Sequence, residues 1–141
     1  MWLVCAIIAA ILWGLNYTLA EKILHHISPM TLLAFEMLIG AISFFVLSYF
    51  MTLKEDIAAV ISQSNLLLII ILEIVVVLIA NFLIVYSIQA KNATVTGFVE
   101  LIYPLFTIFF TWILFHENHL SKEVMIGGGL IMIGVYLISL S

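Results

Sequence analysis

Leu66–Ser87 reads LLLIIILEIVVVLIANFLIVYS. This run of roughly 22 residues meets the ~20 that a helix needs to cross the ~30 Å hydrocarbon core of a bilayer. It contains no basic residue, and its strongly polar side chains are Glu73 and Asn81. A soluble fold would have to cover such a segment on every side. The chain has 141 residues, 66% of them hydrophobic, and a mean hydropathy of +1.35, which leaves too little polar sequence to do so. The stretch is therefore read as a membrane-spanning helix with a carboxyl group inside it.

Four further apolar runs flank it, so the expected helices are about 2–20, 30–51, 66–87, 94–115 and 124–140. Polar breaks at 21–28, 52–65, 88–93 and 116–123 separate them. No alternating ten-residue strands exist from which to close a barrel. The expected fold class is an all-α polytopic membrane protein, a single five-helix domain over residues 1–141. Pro29 suits the start of the second helix. The first run has no basic flank and no small-residue cleavage site, so it is expected to stay as a helix. Met1 and the polar end Ser139–Ser141 read as natural termini. In the longest break, Leu53, Ile57, Val60 and Ile61 recur at helical spacing, which fits either a short helix on the membrane surface or an ordinary loop. Asn16-Tyr17-Thr18 and Asn92-Ala93-Thr94 match the glycosylation pattern but hug membrane ends and are discounted.

Charge narrows the function classes. The net charge is −4, there is no Arg, and the four Lys are dispersed, so nucleic-acid binding is excluded for want of a basic patch. Cys5 stands alone in an apolar run and reads as a packing residue. His25, His26, His116 and His119 fall in breaks on opposite sides of the membrane, so no metal site is expected, and no cofactor. No nucleophile–base pair suggests an enzyme.

The Lys residues also fail to orient the chain. With five spans, Lys22 and Lys91 lie on one side and Lys54 and Lys122 on the other. Basic residues in short loops normally favour the cytoplasmic side, and here they split evenly. Three readings follow. The chain inserts both ways and forms an antiparallel homodimer; a partner chain orients it; or the N-terminal amine and first helix select one orientation. Transporters often combine two inverted repeats about an axis in the membrane plane. An odd-span unit inverts on duplication, and this chain is one such unit without its second copy.

Three carboxylates, Glu36, Glu73 and Glu100, each fall about seven residues into an apolar run. On insertion scales a charge there costs ~2.5–3.5 kcal/mol, so such residues face protein, water or substrate. In the fourth span Thr96, Gly97, Glu100, Tyr103, Pro104, Thr107 and Thr111 recur at spacings of three and four, one stripe on a helix. Pro104 is expected to kink the helix and to withhold a hydrogen bond from the carbonyl of Glu100. Thr107 and Thr111 are expected to bond back to their own helix. At 1.5 Å per residue Glu36 and Glu100 lie roughly 9 Å below starts on the same side, and Asn81 reaches that level from the opposite side. Glu73 sits in the other half, where an inverted copy would bring the partner's Glu73 to the level of Glu36 and Glu100. A proton or a cation could neutralise such a cluster, and exchange of one for the other is proton-coupled antiport. The alternative is carboxyl groups permanently protonated and hydrogen-bonded between helices. On the first helix Trp13 and Tyr17 could stack on a cationic or aromatic ligand, with Trp13 otherwise an interface anchor, and Asn16 is a candidate pathway residue. Gly127 and Gly134, one heptad apart, are candidates for tight helix packing or dimerisation.

These segments resemble the EamA-type domain of the drug/metabolite transporter superfamily. Trp13-Gly14-Leu15-Asn16-Tyr17 is similar to its first-helix motif, and Ser28-Pro29-Met30-Thr31 to the start of its second helix. Residues 93–136, with Pro104, Glu117, Gly128 and Gly134, are similar to its terminal helix pair. The resemblance covers nearly the whole chain. It implies export or exchange of small metabolites or drugs between two inverted five-helix halves, in a bacterial inner membrane. The chain departs from it in holding one half and in carrying Glu36 near where many relatives place Arg, which argues against anionic substrates. The half-sized, dimeric small multidrug resistance family offers an analogy for a membrane Glu that exchanges protons for cations. The expected function is small-solute transport by an antiparallel dimer, proton-linked or facilitative, with a cationic or zwitterionic substrate and either a second copy or a homologous half as partner. The alternative is a non-transporting subunit or scaffold that pairs with another membrane protein.

Overall fold

The structure is a computed structural model that describes residues 1–117 and 120–140. His119 and Ser141, considered above for metal binding and as part of the polar terminus, lie outside the described residues. The described residues contain helices and turns and no strand. The helices are α1 (Trp2–Ile23), α2 (Pro29–Met51), α3 (Leu53–Ser62), α4 (Ser64–Ala90), α5 (Ala93–Glu100), α6 (Tyr103–Phe115) and α7 (Lys122–Ser139). Five spans are long and apolar enough to cross a membrane, with α5 and α6 together forming the fourth. The fold is all-α and polytopic.

Local chemistry sets most of the helix starts. Ser28 holds an extended backbone, its Oγ accepts from the Thr31 N–H at 3.3 Å, and Pro29 follows at the first position of α2. The Asn92 side chain accepts from the Val95 N–H at 2.8 Å and starts α5, and Ser121 Oγ accepts from the Val124 N–H at 3.2 Å and starts α7. Asn92 of the discounted glycosylation pattern is therefore spent on a cap. Of the two readings of the 52–65 break, the structure selects the helix: α3 occupies it, its first turn carries Glu55 and Asp56, and Thr52 Oγ1 donates to Asp56 Oδ2 at 2.5 Å. Ile57 and Ile61, one turn apart on α3, are 48% and 79% exposed.

The fourth span departs from expectation. It is two helices, separated by a turn at Leu101–Ile102. There the N–H of Leu101 bonds the carbonyl of Phe98 at 3.2 Å and that of Ile102 the carbonyl of Val99 at 3.3 Å, a tightened three-residue pattern. Pro104 is the cause: it has no N–H for the carbonyl of Glu100, and its ring crowds the preceding turn. The stripe from Thr96 to Thr111 is therefore divided between α5 and α6. Thr107 Oγ1 donates to the carbonyl of Tyr103 at 3.2 Å, the back-bonding expected of it.

The chain divides into two compact units, one of Met1–Leu19 with Lys91–Ser141 and one of Ala20–Ala90. In the second unit α2 packs against α4, and α3 contacts both. Its buried residues Ala20, Leu24, Pro29, Leu32, Val85 and Ile88 gather around the start of α2 and the end of α4. Gln89 Nε2 donates to the carbonyl of Leu24 at 3.1 Å and ties that end together. In the first unit α5 packs against α7, and Ala93, Thr96 and Val135 are buried. Elsewhere large apolar side chains face outward, among them Phe44, Phe45 and Phe50 at 73%, 63% and 80% exposure. At roughly 1.5–3 kcal/mol per such side chain moved from water to an apolar medium, these surfaces demand lipid or another chain.

The close helix approach falls on a different glycine from the expected pair. A Cβ at Gly128 would lie 3.0 Å from Leu105 Cδ2, whereas a Cβ at Gly127 or Gly134 would meet nothing within 4 Å. Within the chain Gly128 is thus the glycine that stands tight against an α6 side chain, while Gly127 and Gly134 leave open space for a Cβ. Gly128→Val is expected to cost about 1–3 kcal/mol by overpacking, seen as a lower unfolding midpoint in detergent. Gly127→Ala and Gly134→Ala should not lower it.

Candidate functional site

The best-formed polar arrangement lies in the first unit, where α1 meets α5. Glu100 is the last residue of α5, held there by the break that Pro104 imposes. Tyr17, in the fifth turn of α1, donates its hydroxyl to Glu100 Oε2. Both side chains are half-buried. The Tyr17 ring lies against Gly97, one turn before Glu100, where a Cβ would stand in ordinary contact 3.5 Å from Tyr17 Cδ2. Trp13, one turn before Tyr17, meets it edge-on with ring centroids 5.7 Å apart and planes at 70°. Thr96, beside Gly97 in sequence, is buried. A groove of about 290 Å³ runs over this region, lined by Gly14, Tyr17, Thr18, Ala93, Thr94, Gly97, Phe98 and Leu101. A second, of about 300 Å³, lies on α1 beside Ala9, Leu12, Trp13 and Asn16.

Such an arrangement has the chemical means to take up a cation or a proton. A carboxylate in an apolar span needs a neutralising partner, and none of the four Lys lies among the residues around it. The phenol supplies one hydrogen bond and leaves the second carboxylate oxygen for a proton or a cation. The two rings next to it present π-faces that attract organic cations.

The remaining sequence candidates are placed as follows. Tyr103 opens α6 just after the break and is 62% exposed. Asn16 is exposed, and it is its neighbour Tyr17 that reaches Glu100. Glu36 on α2 is half-buried, Asn81 on α4 is half-buried, and Glu73 on α4 is exposed. All three belong to the second unit, whereas Tyr17 and Glu100 belong to the first. Among the described residues no group of three or more His, Cys, Asp or Glu gathers to hold a metal.

Sequence reasoning gave Tyr17 a ligand-stacking role and put Gly97 in the polar stripe, but did not pair Tyr17 with Glu100. The signal for Tyr17 was its spacing of four from Trp13, which puts both rings on one helix face. Gly97 stood one turn from Glu100 in the same polar stripe. What the pattern lacked was any indication that α1 is the helix facing that stripe.

No curated protein and no solved structure matches the chain. The EamA-like transporter family does, over residues 1–140, which takes in all five apolar spans. A match of that extent means that this multi-pass membrane protein belongs to the EamA-like transporter family.

Proposed function

We propose that residues 1–141 operate as one five-helix transport unit that pairs with an inverted second copy, or with a homologous half, and exchanges protons for a small cationic or zwitterionic solute. The observation that carries this reading is the hydrogen bond from Tyr17 to Glu100 at the broken fourth span. A proline-tightened turn at membrane depth leaves a carbonyl without its helical partner, and such a carbonyl is tolerated where it faces protein or a polar path. Glu100 binds a proton or the solute, never both, and so couples their movement. Trp13 and Tyr17 form the wall for the solute's cationic part, and Asn16 and Tyr103 flank the path. Glu36, Asn81 and Glu73 are further proton- or solute-binding groups on α2 and α4. The pair works by alternating access as an exporter or exchanger in a bacterial inner membrane, and it is not an enzyme.

The even split of Lys22 and Lys91 against Lys54 and Lys122 supports insertion in both orientations. Reporters fused to each terminus should then give signals on both sides of the membrane for each end. Purified protein in liposomes should take up an organic monocation such as tetraphenylphosphonium when an outward proton gradient is imposed. A strictly monomeric protein that moves no solute would end the transport reading. Tolerance of Glu100 to Gln and Leu alike, with assembly intact, would favour the scaffold reading instead.

A further inference from the structure

The middle of α4 carries polar groups without cover. Residues 71–80 are exposed on every side of the helix, nearly three turns of it, with Leu72 at 55% and Val77 at 39%. Glu73 lies in this segment and Asn81 just after it, and neither has a hydrogen-bond or ion-pair partner among the described residues. A carboxyl group so deep in an apolar span is too far from either membrane surface to reach lipid headgroups, and acyl chains offer it nothing.

We infer that α4 pairs with α4 of a second, inverted copy, with Glu73 of each chain against Asn81 of the other about an axis through Val77. This rests on the antiparallel pairing proposed above and specifies the helix that forms its seam. The argument is one of symmetry. An antiparallel pair with its two-fold axis in the membrane plane has an isologous interface, so residue i meets residue j and j meets i. Helix α4 runs Ser64–Ala90, and its midpoint is Val77. The centre of the apolar run Leu66–Ser87 falls within one residue of the same place, which sets Val77 at the bilayer mid-plane. Glu73 and Asn81 each stand four residues from it, about 6 Å to either side at 1.5 Å per residue. At 3.6 residues per turn they lie about 40° to either side of Val77, on one face.

Chemistry agrees with the geometry. The Asn81 amide donates to an ionised carboxylate through its N–H groups and accepts from a protonated carboxyl through its oxygen, so the contact survives either state of Glu73. A parallel pair would set Glu73 against Glu73, with like charges and no donor unless a proton is shared. The rest of the segment is Val, Ile and Leu, which pack equally well against lipid or another helix.

The test is disulfide cross-linking of full-length protein in liposomes, in a Cys5→Ala background that removes the one native thiol. Val77→Cys, on the axis, should cross-link with itself. Glu73→Cys alone and Asn81→Cys alone should not, whereas the two co-expressed should. In that mixed pair the second Glu73–Asn81 contact stays intact. Glu73→Leu should weaken dimerisation about tenfold, through loss of two interhelical hydrogen bonds, while Glu73→Gln retains it. Self-cross-linking of Glu73→Cys and Asn81→Cys would show a parallel seam and overturn the inference. A dimer by mass measurement with no α4 cross-link would overturn it while leaving the antiparallel pairing standing. A monomer by mass would overturn both.

Discussion

Glu100→Gln is expected to abolish proton-coupled solute uptake, to the level of protein-free liposomes, while the protein still inserts and assembles. The substitution is nearly isosteric, and the glutamine oxygen still accepts the hydrogen bond that Tyr17 donates to Oε2. The α1–α5 contact and the helix break at Leu101–Ile102 are therefore preserved, because the break depends on Pro104 and not on the carboxylate. What disappears is the negative charge and the capacity to take up a proton. If a proton and a cationic solute compete for this carboxylate, neither can drive the other once it is an amide. The measurement is uptake into liposomes at several imposed pH gradients, with dimer content followed on the same preparation. Uptake that still responds to pH in the normal way would remove Glu100 from the mechanism. Loss of assembly together with uptake would assign the residue to structure.

Tyr17→Phe should produce the second large loss, a fall in coupled uptake of about tenfold or more. A hydrogen bond to a charged group is worth about 1.5–3 kcal/mol, and every 1.4 kcal/mol is a factor of ten. The ring itself is retained, so its edge contact with Trp13 and its place against Gly97 remain, and the loss isolates the hydroxyl. If Tyr17 acts by holding the Glu100 carboxylate, the two substitutions share one effect. Tyr17→Phe should then also change the pH dependence of the uptake that remains. Unchanged uptake by Tyr17→Phe, or a reduced uptake that keeps the original pH dependence, would mean that the hydroxyl does not work through Glu100.

The membrane class, the five spans and most of their ends were legible in the chain because each depends on local properties. An apolar run of more than twenty residues has no place in water, and Ser28-Pro29 and Ser121 carry capping chemistry that works within one turn. The proline break was legible in part. Pro104 announced a lost hydrogen bond at Glu100, but the tightened turn at Leu101–Ile102 follows from how the neighbouring N–H groups re-pair. Even where periodicity is strong its reach is limited: it placed Gly127 and Gly134 on one side of α7, but the glycine that touches α6 is Gly128, one residue away.

By itself, then, the sequence determined that this is a polytopic helical membrane protein with carboxyl groups inside its spans, since composition and run length settle what a bilayer will accept. Which of those carboxyl groups meets which side chain was decided only by tertiary structure. Helical periodicity assigns a residue to a face and a depth, but not to the helix opposite that face. Only the packing of α1 against α5 shows that Tyr17, and not its neighbour Asn16, reaches Glu100.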